Sequence, residues 1–201
     1  MIKIPFLSRL LKKIYIFHNL YYINKIYKKK KYYAHGKEDL EILKIFGKKK
    51  GFFVDVGCHH PSRLNNTYLL YLKGWRGINI DLNKISVELF DFARPNDINI
   101  NSAVSLKRGK VYFYSNKSLS LYNSLNKKKN LNLKKTIQSN KLSNIIDNTP
   151  YKGKKIDFLT IDAEGSDLEV LKSLDFKKYS PKTICVEIWH RNEVKFSVKK
   201  K

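Results

Sequence analysis

The chain has 201 residues, of which 42% are hydrophobic and 29% are charged, a composition that indicates one globular domain. The two cysteines, Cys58 and Cys185, form no CxxC pair, and no run of about 18 apolar residues occurs. A disulfide framework and a transmembrane helix are therefore excluded, and a cytoplasmic location is expected.

The net charge of +24 indicates weak, salt-dependent contact with anionic molecules. Nearly all of the excess is lysine, however, whereas proteins that read nucleic acids more often use arginine, whose planar fork matches phosphate and guanine. We therefore expect no specific nucleic-acid partner.

Residues 1–33 are basic and aromatic, and we predict that they form a segment distinct from a domain over residues 34–201. An amphipathic helix packed on the domain or a frayed tail is one interpretation. The other is a helix that makes weak contact with a membrane surface, which would place the protein at the periphery of the membrane.

Helical and strand patterns alternate after residue 34. The predicted helices are residues 38–46, 65–72, 83–92 and 167–174, and the predicted strands are residues 51–57, 77–81, 97–104, 111–114, 155–161 and 183–188. This βαβαβ order predicts a Rossmann-like α/β fold with a mostly parallel sheet and helices on both faces.

Two parts of the domain look irregular. Residues 115–150 are polar, lysine-rich and weakly periodic, which predicts an insertion or a lid over an acceptor. Few residues follow Glu187, so the fold is expected to be shortened at its C-terminus. The last predicted strand, residues 183–188, is then expected to be left as an open edge of the sheet.

Acidic residues occur at or near the ends of four predicted strands: Asp55, Asp81, Asp162 and Glu187. Open parallel sheets bind ligands at the carboxyl ends of their strands. Asp81 is placed to accept hydrogen bonds from ribose hydroxyls, and Asp55 to bind an amine. Only Gly57 follows the first strand, whereas a pyrophosphate needs several close backbone N–H groups. The pattern therefore favours S-adenosylmethionine over a dinucleotide, with a tight turn that binds no ligand as the alternative.

Two blocks of sequence resemble the FkbM family of methyltransferases. The first comprises residues 52–61 (FFVDVGCHHP), 65–70 (NNTYLL) and 73–81 (KGWRGINID), and the second comprises residues 156–165 (IDFLTIDAEG) and 168–174 (LEVLKSL). Both occur in order at a domain-sized separation, and the resemblance extends from about residue 35 to residue 189.

The resemblance implies a cofactor, a reaction and a set of residues. Asp55 and Gly57 would lie beside S-adenosylmethionine and Asp81 would hold its ribose, while Ser102 and Ala103 would flank the adenine. Asp162 and Glu164 would face the transferred methyl group as the catalytic residues. The acceptor would be the hydroxyl of a small molecule, in the first instance a carbohydrate, and no metal is implied.

Alternatives remain open for the acids and for the function. Asp162 and Glu164 would instead act as helix-capping acids, and His59, His60 or His190 would then be the base. The alternative function is a non-catalytic basic protein that binds RNA or a membrane surface on a truncated methyltransferase fold. A methyltransferase that acts on RNA is a third hypothesis.

Overall fold

The protein is described by a computed structural model over residues 5–23, 31–116, 123–127, 129–130, 132–190 and 193–200. The helices are α1 (Pro5–Phe17), followed by a π-helix (His18–Ile23), α2 (Glu38–Phe46), α3 (Tyr68–Leu72), α4 (Lys84–Ala93), α5 (Leu142–Asp147) and α6 (Asp167–Lys172). The strands are β1 (Phe52–Val56), β2 (Arg76–Asp81), β3 (Ile98–Asn101), β4 (Ala103–Val104), β5 (Gly109–Ser115), β6 (Asn123–Ser124), β7 (Leu133–Asn140), β8 (Phe158–Ile161), β9 (Thr183–His190) and β10 (Glu193–Lys200).

The central sheet has six strands in the order β10-β9-β8-β1-β2-β3. All neighbours are parallel except β9 and β10, which pair antiparallel. Every residue of β1 is buried, as expected for a strand that is covered on both faces. The prediction of a mostly parallel sheet is confirmed.

Helices cover both faces of this sheet. Successive side chains of β1 point to opposite faces, so neighbouring residues of the strand pack against different helices. Val54 packs with residues of α5 and α6 on one face, including Ile146 and Val170. Phe53 packs on the other face with Ile42 of α2 and with other large apolar side chains. The prediction that helices lie on both faces of the sheet is thus confirmed.

The prediction that β9 is an open edge is wrong. β10 pairs with β9 over eight residue pairs, from Glu193 opposite His190 to Lys200 opposite Thr183. An antiparallel strand can follow its neighbour after a short connection, so the few residues after Glu187 are enough to form β10. The expected shortening of the fold therefore does not leave the fifth parallel strand unpaired.

Residues 97–104 form two strands rather than the predicted single one. β3 ends at Asn101 and stays in the central sheet, whereas β4 begins at Ala103 and pairs with β7. The second sheet has the order β4-β7-β5-β6. The chain thus leaves one sheet for the other at Ser102.

Residues 115–150 are not simply an irregular insertion. They contain the eight-residue strand β7 and the helix α5, neither of which was predicted. Leu142, Ile145 and Ile146 of α5 are buried in the main core. The sequence pattern is weak here because β7 is mostly exposed on both faces and α5 has only six residues.

The N-terminal helix packs on the domain through one side. Leu20, in the π-helix, lies against Ile85 and Leu89 of α4, and Tyr15 and Ile16 join the same cluster. Among the described residues, no helix has the length and apolar character needed to cross a bilayer.

Candidate active site

A cavity of about 220 Å³ opens at the carboxyl ends of β1, β2 and β8. Its wall is formed by Val56, Gly57, His59, Leu64, Ile80, Asp81, Leu82, Ser102, Val104, Asn123, Leu125, Asp162, Ala163, Glu164 and Val170. It lies where ligands bind in open parallel sheets, because strand order changes direction between β1 and its neighbours. Five of the seven predicted site residues line this cavity.

Asp81 is held on the cavity wall by two backbone amides. The N–H of His59 donates to Oδ2 at 2.8 Å, and the N–H of Asn83 donates to Oδ1 at 2.7 Å. These bonds fix the orientation of the carboxylate on the cavity wall. Burial raises the pKa of Asp81 from 3.8 to about 6, although hydrogen bonds from the two amides and from Ser86 oppose this shift. Near neutral pH the group is therefore an oriented anionic acceptor.

Gly57 also lines the cavity, but its conformation serves the packing of two loops. Its φ is 80°, and a Cβ at this position would lie 1.8 Å from the carbonyl oxygen of Asp162. Its N–H donates to the carbonyl of Ile80 at 2.9 Å. The glycine thus allows the ends of β1 and β8 to approach closely, which brings Asp81 and Asp162 to one cavity.

Asp55, which was predicted to lie beside the cofactor, is not among the residues that line the cavity. Its Oδ2 accepts hydrogen bonds from Thr67 Oγ1 at 2.7 Å and from Asn65 Nδ2 at 3.1 Å. The side chain is buried, and burial raises its pKa to about 6. Asp55 points away from the cavity because it belongs to a central strand whose faces alternate.

Arg94 completes the buried network behind the cavity. Its Nη1 donates to Thr67 Oγ1 at 2.9 Å, its Nη2 donates to Asn65 Oδ1 at 2.7 Å, and its Nε and Nη2 donate to the carbonyl of Pro61. Arg94 is fully buried. The sequence analysis missed this role, because an arginine after a surface helix resembles an ordinary exposed residue. The network holds the loop that follows β1.

Ser102 lies on the cavity wall, whereas Ala103 does not. The hydroxyl of Ser102 lies within hydrogen-bonding distance of the carbonyl oxygens of Ala103, at 2.9 Å, and of Gln138, at 3.1 Å. The next residue, Val104, returns to the cavity, since side chains alternate along the extended β4.

Asp162 and Glu187 form a pair of carboxyl groups. Ile161 of β8 is in register with Val186 of β9, so the next residues, Asp162 and Glu187, are neighbours. Burial and the charge of Glu187 raise the pKa of Asp162 to about 8.

Asp167, rather than Asp162 or Glu164, organises the loop before α6. Its carboxylate accepts hydrogen bonds from the N–H of Ala163 at 2.7 Å and from the N–H of Gly165 at 3.0 Å. Glu164 has a left-handed φ of 52° and lies on the cavity wall. Asp167 thus orders the loop that precedes α6, while Asp162 and Glu164 stand at the cavity.

The three histidines considered as bases differ in position. His59 lines the cavity. His60 is fully buried and off the cavity wall, its Nδ1 accepts the backbone N–H groups of Ser62 and Arg63 at 3.2 Å, and burial lowers its pKa to about 3. The side chain of His190 falls outside the described part of the structure. Within the described residues, no three His, Cys, Asp or Glu side chains are grouped as metal ligands would be.

The segment 115–150 contributes to the cavity through Asn123 and Leu125, which sequence reasoning did not single out. Ser124 Oγ donates to the carbonyl of Glu164 at 3.3 Å, which joins the second sheet to the loop after β8. The only sequence indication was that this segment would cover an acceptor. Its polar composition gave no information about which residues face inward.

Comparison with known proteins agrees with this geometry. The family model described as the methyltransferase FkbM domain matches residues 55–198, which is more than half of the chain. Neither curated proteins nor solved structures gave a significant match. The matched range contains the last two residues of β1, all of β2, β8 and β9, and every residue of the cavity wall. The chain therefore belongs to the FkbM methyltransferase family.

Proposed function

We propose that the protein binds S-adenosylmethionine in this cavity and methylates a hydroxyl group of a small acceptor, with carbohydrates as the first class to test. The observation that carries the proposal is the carboxylate of Asp81, which two backbone amides orient on the cavity wall at the end of β2. An oriented carboxylate at this point of a parallel sheet is suited to the two hydroxyls of a ribose.

The remaining walls suit the other parts of a nucleoside cofactor. Ile80, Leu82 and Val104 offer an apolar surface for a flat purine, beside the polar hydroxyl of Ser102. Gly57 lines the cavity at the end of β1 and lets the carbonyl of Asp162 approach closely. We assign to Asp55 the support of the loop rather than contact with the cofactor.

S-adenosylmethionine, when bound, supplies an electrophilic methyl group on a positively charged sulfur. The chain has to place the acceptor oxygen in line with that group, which is mainly a problem of proximity and orientation. Asp162 and Glu164 stand on the wall that would face the reacting atoms. Asn123 and Leu125 line the same cavity and would contact the acceptor.

Asp162 is the better candidate for the base that receives the hydroxyl proton. Its pKa is raised by burial and by the neighbouring charge of Glu187. A carboxylate with a raised pKa is a stronger base, so it takes a proton from a hydroxyl more readily. Glu187 is not on the cavity wall, and it acts through Asp162 by raising the pKa of that carboxyl group. Glu164 would then orient the acceptor.

Calorimetric titration with S-adenosylmethionine tests the cofactor site. The Asp81→Ala and Asp81→Asn variants are expected to bind at least about tenfold more weakly than the wild-type protein, which corresponds to about 1.4 kcal/mol. Asp91→Asn is the matched control, because Asp91 lies on the exposed side of α4, off the cavity wall, where it accepts a hydrogen bond from Asn99 Nδ2 at 3.0 Å. Thermal unfolding of each variant verifies that it is folded.

Two outcomes would contradict the proposal. A folded wild-type protein without detectable binding removes the cofactor site, and equal binding by wild type and both Asp81 variants removes the role of Asp81. If binding holds, transfer of a labelled methyl group to a panel of sugars, with RNA as the comparison acceptor, tests the acceptor class. Methylation of RNA alone would overturn the small-molecule assignment.

A further inference from the structure

An apolar stripe runs along the outer side of α1 and the π-helix. We call it the Leu10–Tyr22 face, and it consists of Leu10, Leu11, Ile14, Phe17, Tyr21 and Tyr22. Each of these side chains is more than 40% exposed, and Tyr22 is 69% exposed. The spacing of three and four residues places them on one side of the helix. Phe17 and Tyr21 stack with ring centroids 4.4 Å apart.

The orientation of this face is fixed by the opposite side of the helix. Leu20 is buried against Ile85 and Leu89 of α4. Lys12 Nζ lies 2.5 Å from Glu88 Oε1, which joins α1 to α4 by an ion pair. The Leu10–Tyr22 face therefore points away from the domain and is not its packing surface.

The N-terminal segment that carries this face is basic. Residues 1–33 contain nine lysine and arginine residues and no aspartate or glutamate. A second copy of a chain with net charge +24 would be repelled from this surface. RNA would use the lysines but would leave the aliphatic side chains exposed to water. An anionic bilayer satisfies both features, because its headgroups attract lysine and its interior accepts leucine, isoleucine and phenylalanine.

We propose that the Leu10–Tyr22 face docks the protein on the surface of an anionic lipid bilayer, with α1 lying parallel to the membrane plane. Leu11, Ile14 and Phe17 enter the boundary between headgroups and acyl chains. Tyr21 and Tyr22 carry polar hydroxyls on apolar rings, a combination that suits this boundary. The lysines outside the stripe contact the headgroups. This interaction is independent of methyl transfer.

Sedimentation with vesicles tests the docking. Vesicles of equal parts phosphatidylcholine and phosphatidylglycerol are compared with vesicles of phosphatidylcholine alone, at about 0.1 M salt. The full chain is expected to bind the anionic vesicles more tightly. The variant Ile14→Asp/Phe17→Asp is expected to lose at least about tenfold in affinity, since two large apolar side chains no longer enter the bilayer.

The matched control is Phe92→Asp/Leu168→Asp, which makes the same change in charge at two other exposed apolar side chains, 64% and 63% exposed. Its vesicle binding is expected to stay within about twofold of wild type, a difference well below the tenfold effect. Equal loss in both variants would show that charge alone drives binding and would overturn the proposal. So would failure of the wild type to bind anionic vesicles, or a dimer in analytical ultracentrifugation that the Ile14→Asp/Phe17→Asp change abolishes.

Discussion

The buried arginine behind the cavity gives the sharpest test of how the fold supports the site. Replacing Arg94 with methionine keeps a long apolar side chain but removes every hydrogen bond to Pro61, Asn65 and Thr67. It also leaves the buried carboxyl group of Asp55 without the nearby cation. Removing one partner of a buried charged pair typically destabilises a protein by about 3–5 kcal/mol. We expect a loss of at least about 3 kcal/mol at pH 8.

The loss should depend on pH. Asp55 has a folded pKa of about 6, above its unfolded value near 3.8, so its contribution to stability falls as the pH rises from about 4 through 6. Arg94 lowers this pKa. Without Arg94 the folded pKa lies higher still, and the fall in stability extends to higher pH. The difference between variant and wild type is therefore smaller at pH 5 than at pH 8.

Urea unfolding followed by circular dichroism measures both values. Arg76→Met is the matched control, because Arg76 is only half-buried and its main bond, 2.6 Å to the carbonyl of Trp75, is local. The control should lose less than about 1 kcal/mol. In the Asp55→Asn background, Arg94→Met should have a smaller effect than in the wild type. A loss below about 1 kcal/mol for Arg94→Met, or an equal loss at pH 5 and pH 8, would refute the reasoning.

Three further predictions concern the cavity and its surroundings. Gly57→Ala should lower the melting temperature more than Gly165→Ala. Both glycines have positive φ, but only a Cβ at position 57 would lie 1.8 Å from the carbonyl oxygen of Asp162. Equal effects of the two changes would contradict the packing role of Gly57. Glu187→Gln should move the basic rise of the pH–rate profile to lower pH, because loss of its charge lowers the pKa of Asp162; an unmoved profile would argue against the pair. His60→Asn should flatten the pH dependence of stability between about pH 6.5 and pH 3. In this range the depressed pKa of His60 makes the wild type lose up to about 1.4 kcal/mol of stability for each pH unit of acidification. A urea-unfolding series in which the variant keeps the wild-type pH dependence would exclude this role.

The sequence by itself determined the parallel strands of the central sheet. Buried parallel strands are continuous apolar runs, so β1, β2, β8 and β9 were predicted close to their observed positions. The acids at their ends were predictable for the same reason, since an acid is tolerated at a strand end or rim but rarely inside a core. Asp81 and Asp162 therefore reached the cavity as expected.

Tertiary structure alone decided which side chains face the cavity and which support it. Asp55 and Asp81 both follow apolar runs, yet the strand pleat turns Asp55 toward Thr67 and leaves Asp81 at the cavity. The pairing of Asp162 with Glu187 depends on the register of β8 and β9, which no local pattern specifies. Arg94 is buried and donates hydrogen bonds to the loop that follows β1, through contacts between residues about thirty positions apart. The local sequence determines whether a segment forms a helix or a strand. The direction in which a side chain points and the residues that surround it depend on parts of the chain that are distant in sequence, so only the tertiary structure decides them.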